Sequence, residues 1–341
     1  MPEKRKRLLF YRLRHVCLIF TLLTLFVSPV GAEIFNPVLI YQGSIMGNTF
    51  NVSIHEGVKR FEETTGIDCL ETIVGTKEAD YVRYVEEISL KGYSPIFLLY
   101  GNSVAKLYDL ARRHPKTRFV VLDMEEDEPN IYSFISGEHE GSFLAGALAA
   151  MATKSQVIGF VSITDIPYMR RFWCGYLQGA KHINPKITVL DGFIGQYDGA
   201  WYDGKATAVM ANQQMDQGAD VIYQAAGGAG PAVLEAAAKR GKLGIGVDRN
   251  QNHLYPGSVL TTMVKDSGKS VYAALMLAKR GIWRDNVKRM GLAQGAVSLA
   301  FDEHNAALVT SDMRTKIEQL TSDIMLGTIK VHDYTQDNAC R

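Results

Sequence analysis

The segment Asp220-Val-Ile-Tyr-Gln-Ala-Ala-Gly-Gly-Ala-Gly230, followed by Gly246-Val-Asp248 and Pro256-Gly-Ser-Val-Leu-Thr-Thr-Met-Val-Lys265, decides the fold. Each piece is a short apolar run that ends in small or polar residues, the pattern of a strand buried on both faces. Strands that all finish this way bring their tips to one crevice, where open parallel sheets take ligands. The same unit recurs outward from this segment. Strands are expected at 37–42, 68–74, 95–100, 118–123, 131–136, 157–163, 187–193, 219–224, 243–247 and 259–264, with helices at 48–65, 79–90, 103–114, 138–152, 167–183, 201–217, 231–240 and 267–280. Apolar strands alternating with amphipathic helices predict an α/β architecture of parallel sheets covered on both faces. So many strands exceed one comfortable sheet, and the rhythm restarts after Thr153-Lys-Ser-Gln156. The reading therefore has two lobes: residues 33–152 with 265–285, and residues 153–264 with 286–335.

The N-terminus is built differently. Lys4, Arg5, Lys6, Arg7, Arg12 and Arg14 precede an uncharged apolar run at 17–27, and Ser28-Pro-Val-Gly-Ala32 supplies a breaker and small residues. The run is too short to cross a hydrocarbon core of about 30 Å comfortably. A removable export signal of 32 residues, cleaved near Ala32, is the expectation, with an uncleaved anchor as the alternative. Its loss removes six basic residues and one acidic residue, taking the formal charge from +1 to −4. A mildly acidic mature chain argues against a nucleic-acid partner, which needs a basic patch. It is expected to be a soluble monomer, periplasmic or secreted.

Cys69, Cys174 and Cys340 remain after the signal. Their spacing gives neither a disulfide framework nor a zinc pattern. Cys174 reads as inert core on a helix face, while Cys69 and Cys340 are available to pair in an oxidising compartment. His55, His114, His139, His182, His253, His304 and His332 contain no i,i+4 pair, so no metal site is expected and no cofactor is called for. Ser267-Gly-Lys-Ser270 lacks the glycine a phosphate loop needs upstream, since position 263 is Met; Gly227-Gly228-Ala-Gly230 lacks the third glycine of a dinucleotide fingerprint, since position 233 is Val.

Several stretches together resemble the basic membrane protein family of ABC-transporter substrate-binding proteins, its purine nucleoside receptor-like group. They are Gly43 with Thr49-Phe50-Asn51, Gly137-Glu-His-Glu-Gly-Ser-Phe-Leu-Ala-Gly146, Ile158-Gly-Phe-Val with Asp165-Ile-Pro and Gly175-Tyr, Ala225-Ala-Gly-Gly228, Gly246-Val-Asp248 and the 256–265 run. They cover nearly all of residues 37–300 in order. The resemblance implies a type I periplasmic-binding-protein fold, with two Rossmann-like lobes joined by a multi-crossover hinge. It also implies delivery of a small molecule to a membrane permease with ATPase subunits. Two features depart from the family. Gly47 stands where members often carry an acidic residue, and the region around Ala32-Glu33 lacks the lipoprotein cysteine of many members.

The candidate ligand-binding residues are Phe50, Asn51, Asp123, Trp201, Tyr223, Gly227, Gly228, Asp248 and Lys265. Phe50 offers a flat apolar face to a base, with helix anchoring as the plain alternative; Trp201 and Tyr223 compete for the opposite face. Asn51 both donates and accepts, whereas Asn48 reads as a helix cap. Asp123, Asp248 and Lys265 each end a strand. A carboxylate and an ammonium at neighbouring tips hold a diol by charge-assisted hydrogen bonds; a structural ion pair at the hinge is the alternative. Gly227 and Gly228 either admit a ligand close to the backbone or make a tight turn. Asp165 and Arg170 border the cleft, and Glu125-Glu126-Asp127-Glu128 reads as a solvated loop. The expected function is extracytoplasmic binding of a purine nucleoside or related base-bearing solute. The rivals are a secreted nucleoside hydrolase, since strand-end carboxylates also do acid–base work, and a ligand sensor for a membrane partner.

Overall fold

The computed structural model describes residues 35–75, 77–99, 104–126, 128–197, 199–282 and 287–340. The export signal expected at 1–32 lies outside the described residues. The first half of the chain lays down β1 (Val38–Gln42), α1 (Thr49–Thr65), β2 (Leu70–Val74), α2 (Glu78–Leu90), β3 (Ile96–Leu98), α3 (Val104–Arg113), β4 (Phe119–Leu122) and β5 (Ile131–Ser136). Next come α4 (Glu138–Ala152), β6 (Val157–Ser162), α5 (Pro167–Ile183), β7 (Thr188–Phe193), α6 (Gly204–Asp216), β8 (Val221–Ala225), α7 (Gly230–Lys239), β9 (Leu243–Asp248) and β10 (Val259–Lys265). The chain closes with α8 (Ser267–Lys279), β11 (Val287–Met290), β12 (Val297–Leu299) and α9 (Ser311–Met325). These strands form two six-stranded sheets, ordered β11-β5-β4-β3-β1-β2 and β12-β10-β9-β8-β6-β7. Pairing is parallel except for β12, which runs antiparallel to β10.

The central strands of each sheet are buried on both faces, which is why they read as unbroken apolar runs, whereas the edge strands β2, β7 and β11 carry exposed residues. In the first sheet Leu39, Tyr41, Phe97 and Val120 pack with Ile54, Val58 and Phe61 of α1 and Val271 and Leu275 of α8. Their neighbours Val38, Ile40, Ile96 and Phe119 face Tyr81, Val85 and Ile88 of α2 and Leu110 of α3. The alternation is the two-residue period of a strand. In the second sheet Ile158, Phe160, Tyr223 and Ile245 face α4 and α5, while Val161 and Ile222 face α6 and α7.

Two assignments depart from the sequence reading. Helix α4 packs on α5 and β10 of the second sheet, although the sequence groups residues up to 152 with the first. Its small residues explain the choice: a Cβ at Gly146 would lie 2.0 Å from the Tyr176 carbonyl oxygen, and one at Gly179 1.8 Å from that of Phe143. Only glycines let these two helices lie so close. Conversely, β11 joins β5 of the first sheet in parallel register, Val287 opposite Ser133, although the sequence groups residues from about 286 onward with the second. The strands β11 and β12 and the helix α9 were not anticipated as separate elements. The chain thus passes between the sheets after β5, after β10 and again between β11 and β12.

The cysteine pairing also differs. Cys174 of α5 is disulfide-bonded to Cys340, with Cα atoms 5.3 Å apart, and is not a free core thiol. Cys69 is free; it precedes the edge strand β2, whereas the tail bearing Cys340 lies on α5. Among the described residues no helix is long and apolar enough to cross a membrane.

Candidate ligand site between strand ends

Lys265, the last residue of β10, is 1% exposed and reaches across to the first sheet. Its ammonium pairs with Asp123 Oδ2, lies 2.9 Å from Glu138 Oε1 and donates to the Tyr168 hydroxyl at 2.7 Å. The same ammonium sits 5.1 Å from the centroid of the Phe50 ring and 5.2 Å from that of Tyr168, within the range where a ring face attracts a cation. Asp123 directly follows β4, and its Oδ1 accepts the Ser136 N–H at 3.2 Å. Asp248 ends β9, and its Oδ2 accepts the Thr49 hydroxyl at 3.0 Å, a bond from α1 of one sheet to a strand tip of the other.

Both aspartates have left-handed backbones, φ 62° for Asp123 and 66° for Asp248. Asp tolerates that region better than most residues, and such strain collects at functional sites. A strand that turns sharply at its last residue aims that side chain into the crevice instead of along the sheet.

A second set of charges stands behind these. Glu138, the first residue of α4, is fully buried, with Oε1 toward Lys265 and Oε2 2.9 Å from Nη1 of Arg171. Arg171, 2% exposed, also donates from Nε to Asp333 at 3.0 Å and from Nη2 to the Ser136 carbonyl at 2.8 Å. The result is a buried chain, Asp123–Lys265–Glu138–Arg171–Asp333, joining both sheets to the C-terminal tail. Paired this way, charges survive burial that would be prohibitive singly.

The electrostatics separate the carboxyls. Burial works against ionised Asp123, but the Lys265 ammonium and hydrogen bonds outweigh it and hold the carboxyl below its ordinary range. Burial pushes Glu138 up to about 7, against the pull of Arg171 and Lys265 and with the help of Asp123. Burial also raises Asp248, with Lys265 opposing. Lys265 lies well above its usual value: burial would lower it, but Asp123, Tyr168 and Glu138 overcome that.

The structure brings Phe50, Asp123, Asp248 and Lys265 to one place between the sheets. Asn51 is buried beside them, its Nδ2 donating to the Ser44 carbonyl at 3.1 Å. Asn48 caps α1, accepting from Phe50 N–H at 2.9 Å, as the sequence suggested. Trp201 lies on Gly227: a Cβ there would be 3.1 Å from the indole Cε3 and 3.9 Å from Asn48 Nδ2. Gly228 similarly makes room for Tyr202, whose ring would be 2.8 Å from an added Cβ. In this structure those glycines therefore admit two aromatic rings.

Tyr223 is not part of this group. It is fully buried in the second core, 5.2 Å from Tyr176 and 5.4 Å from Phe160 between ring centroids, with its hydroxyl 3.2 Å from that of Ser142. Arg170 is tied to Asp165 and Asp191 over the Trp173 and Phe193 rings. The sequence offers Thr49 only as part of the Thr49-Phe50-Asn51 match and a candidate cap, and it does not single out Glu138, Tyr168 or Arg171 as site residues. Glu138 had one available signal, its place at the head of the 137–146 motif. Acceptors of two strengths, one ammonium and a flat ring face suit a neutral, planar solute that carries hydroxyls.

Comparison with known proteins identifies the family and the fold. The profile of the Bmp family, described as "ABC transporter substrate-binding protein PnrA-like", matches residues 34–335. The chain is 27% identical over 308 residues to basic membrane protein A1 of Borrelia garinii, covering 87% of this chain and 88% of that protein. It is 28% identical over 308 residues to the ABC transporter nucleoside-binding protein BmpA of Lactococcus lactis, covering 83% and 84%. Among solved structures, a solute-binding protein of an ABC transporter system from Aeropyrum pernix superposes with a TM-score of 0.77 at 23% identity, over 87% of this chain and 93% of that one. One from Conexibacter woesei gives 0.68 at 16% identity, over 88% and 99%. The fold is the α/β type I periplasmic-binding-protein fold. The chain belongs to the Bmp family of PnrA-like ABC-transporter substrate-binding proteins, which implies a small-molecule ligand, a membrane permease as partner and a place of work outside the cytoplasm.

Proposed function

We propose that this protein is the receptor of an ABC importer and binds a purine nucleoside, or a related base-bearing solute, in the crevice between its two lobes. The observation that carries the reading is the convergence of Phe50, Asp123, Asp248 and Lys265, from both sheets, at buried strand ends. The base lies against Phe50, with Trp201 on the opposing side, and the sugar hydroxyls donate to Asp123 and Asp248 while accepting from Lys265. Thr49–Asp248 and the exposed pair Arg249–Glu56, 2.7 Å apart, link the lobes in the closed form that a permease reads. A solute shifts the open–closed equilibrium only by its affinity difference between the two states, so contacts made from both lobes are the ones that drive closure.

The name of the Lactococcus relative points to the same ligand class. Gly47 stands where family members often carry an acidic residue, so the test spans nucleosides, a free base and a free sugar. Calorimetric titration with inosine, guanosine, adenosine, uridine, hypoxanthine and ribose is expected to give tight binding for a purine nucleoside and weak or no binding for ribose alone. Failure of every nucleoside and base to bind sinks the reading. Release of free base from inosine during the titration would instead support a hydrolase.

A further inference from the structure

We propose that Glu138 is a positioning residue for this site: it draws the Lys265 ammonium off Asp123 and so leaves the Asp123 carboxylate free to accept the ligand. The inference rests on the binding reading above and deepens it.

The geometry is the starting point. Lys265 has two anionic partners, Asp123 and Glu138, and one neutral partner, the Tyr168 hydroxyl. Asp123 accepts from Ser136 N–H on one oxygen, and its other oxygen takes both Lys265 and, at 3.4 Å, the Tyr168 hydroxyl. An Asp123 so occupied has little capacity left for a ligand hydroxyl. Glu138 is placed to compete for the ammonium from behind, and it is held there by Arg171, itself anchored by Asp333 and the Ser136 carbonyl. Ionised Glu138 shares the ammonium; protonated Glu138 releases it to Asp123.

The charged and titratable groups around Glu138 come from several elements. They are Lys265 of β10, Arg171 and Tyr168 of α5, Tyr223 of β8, Asp123 after β4, Asp333 of the tail through Arg171, and Asp248 of β9 through Lys265. His139, next to Glu138, faces Asp333 at 3.9 Å, and burial with Arg171 nearby lowers it to about 4, so it stays neutral at physiological pH. Burial places the Glu138 carboxyl at about 7, so it changes charge near neutrality. Ligand binding prefers its ionised form and releases a proton. With the ligand-free carboxyl at about 7, binding that requires the ionised form weakens by up to about tenfold from pH 8 to pH 6.

The test is calorimetry with inosine from pH 6 to 8.5, on wild type, Glu138→Gln and Asp333→Asn, each checked for cooperative unfolding. Wild type is expected to lose about tenfold in affinity toward pH 6 and to release a proton on binding near pH 7, read from buffers of different ionisation enthalpy. Glu138→Gln is expected to bind at least tenfold more weakly at pH 8 and to show a flat profile. Asp333→Asn, remote from the ligand, retains the pH dependence with a smaller loss. A wild-type profile that is flat, or Glu138→Gln binding within twofold of wild type, overturns the proposal. If wild type binds no inosine at any pH, the binding reading fails instead, and carboxyl carbon NMR of the ligand-free protein decides the rest. A side-chain carboxyl titrating near 7 that vanishes in Glu138→Gln supports the buried switch, and its absence overturns it.

Discussion

Replacing Asp248 with asparagine removes one negative charge and almost nothing else. Asn fits the left-handed backbone at φ 66° nearly as well as Asp, and its side-chain oxygen keeps the bond from the Thr49 hydroxyl, 3.0 Å in the wild type. What changes is the acceptor presented to the ligand. A hydrogen bond to a charged group is worth about 1.5–3 kcal/mol against about 0.5–1.5 for a neutral pair, so the substitution forfeits roughly 1–2 kcal/mol of binding. That corresponds to about 5–30-fold in affinity. Asp248→Ala loses the bonds altogether and is expected to weaken binding at least as much as Asn does. Folding should not suffer in step, because burial already disfavours the Asp248 charge. Inosine calorimetry on wild type and both variants, paired with ligand-free thermal unfolding, measures the two effects separately. A folded Asp248→Asn protein that binds inosine within twofold of wild type would refute the reasoning.

The other expectations concern stability and closure. Burial and Arg171 lower His139 to about 4, and a histidine depressed in the folded state stabilises fully above its unfolded value and loses that contribution as pH falls from about 6.5 to 4. Glu138 acts in the opposite sense over part of that window, so the check is the difference between His139→Gln and wild type in urea unfolding, where the variant should fall less steeply; identical slopes would contradict the assignment. Reducing the Cys174–Cys340 disulfide, or changing both residues to serine, should lower unfolding stability by about 2–4 kcal/mol; an unchanged denaturation midpoint would argue against it. Gly179→Ala drives a methyl into the Phe143 carbonyl and is expected to cost about 1–3 kcal/mol or more in thermal unfolding. Neutralising Glu56 or Arg249, an exposed pair, should change inosine affinity by no more than a few-fold, because such pairs contribute about 0–1 kcal/mol; a loss beyond thirtyfold would make it a principal latch.

The strands that define both sheets were legible because burial on two faces leaves unbroken apolar runs bounded by small and polar residues. The tips Asp123, Asp248 and Lys265 could be read for the same reason: a charged residue closing such a run has nowhere to go but the crevice. The helix partners were harder. The glycines of α4 signal close packing, but not which helix they meet, and only the match of Gly146 and Gly179 with the opposing carbonyls assigns α4 to the second sheet. Tyr223 misled because it sits two residues before the end of β8, on the face turned to Phe160 and Tyr176. Being near a strand end is not the same as being at its tip. Glu138, Arg171 and Asp333 lie far apart in the chain, and ion pairs over such separations leave no local pattern. Disulfide connectivity is hidden for the same reason.

A crystal structure of the protein grown with inosine tests the central claim most directly. The purine ring is expected to stack on Phe50, with the ribose hydroxyls within hydrogen-bond distance of Asp123, Asp248 and Lys265. Inosine bound on an outer face, with those four side chains arranged as they are without it, would contradict the account.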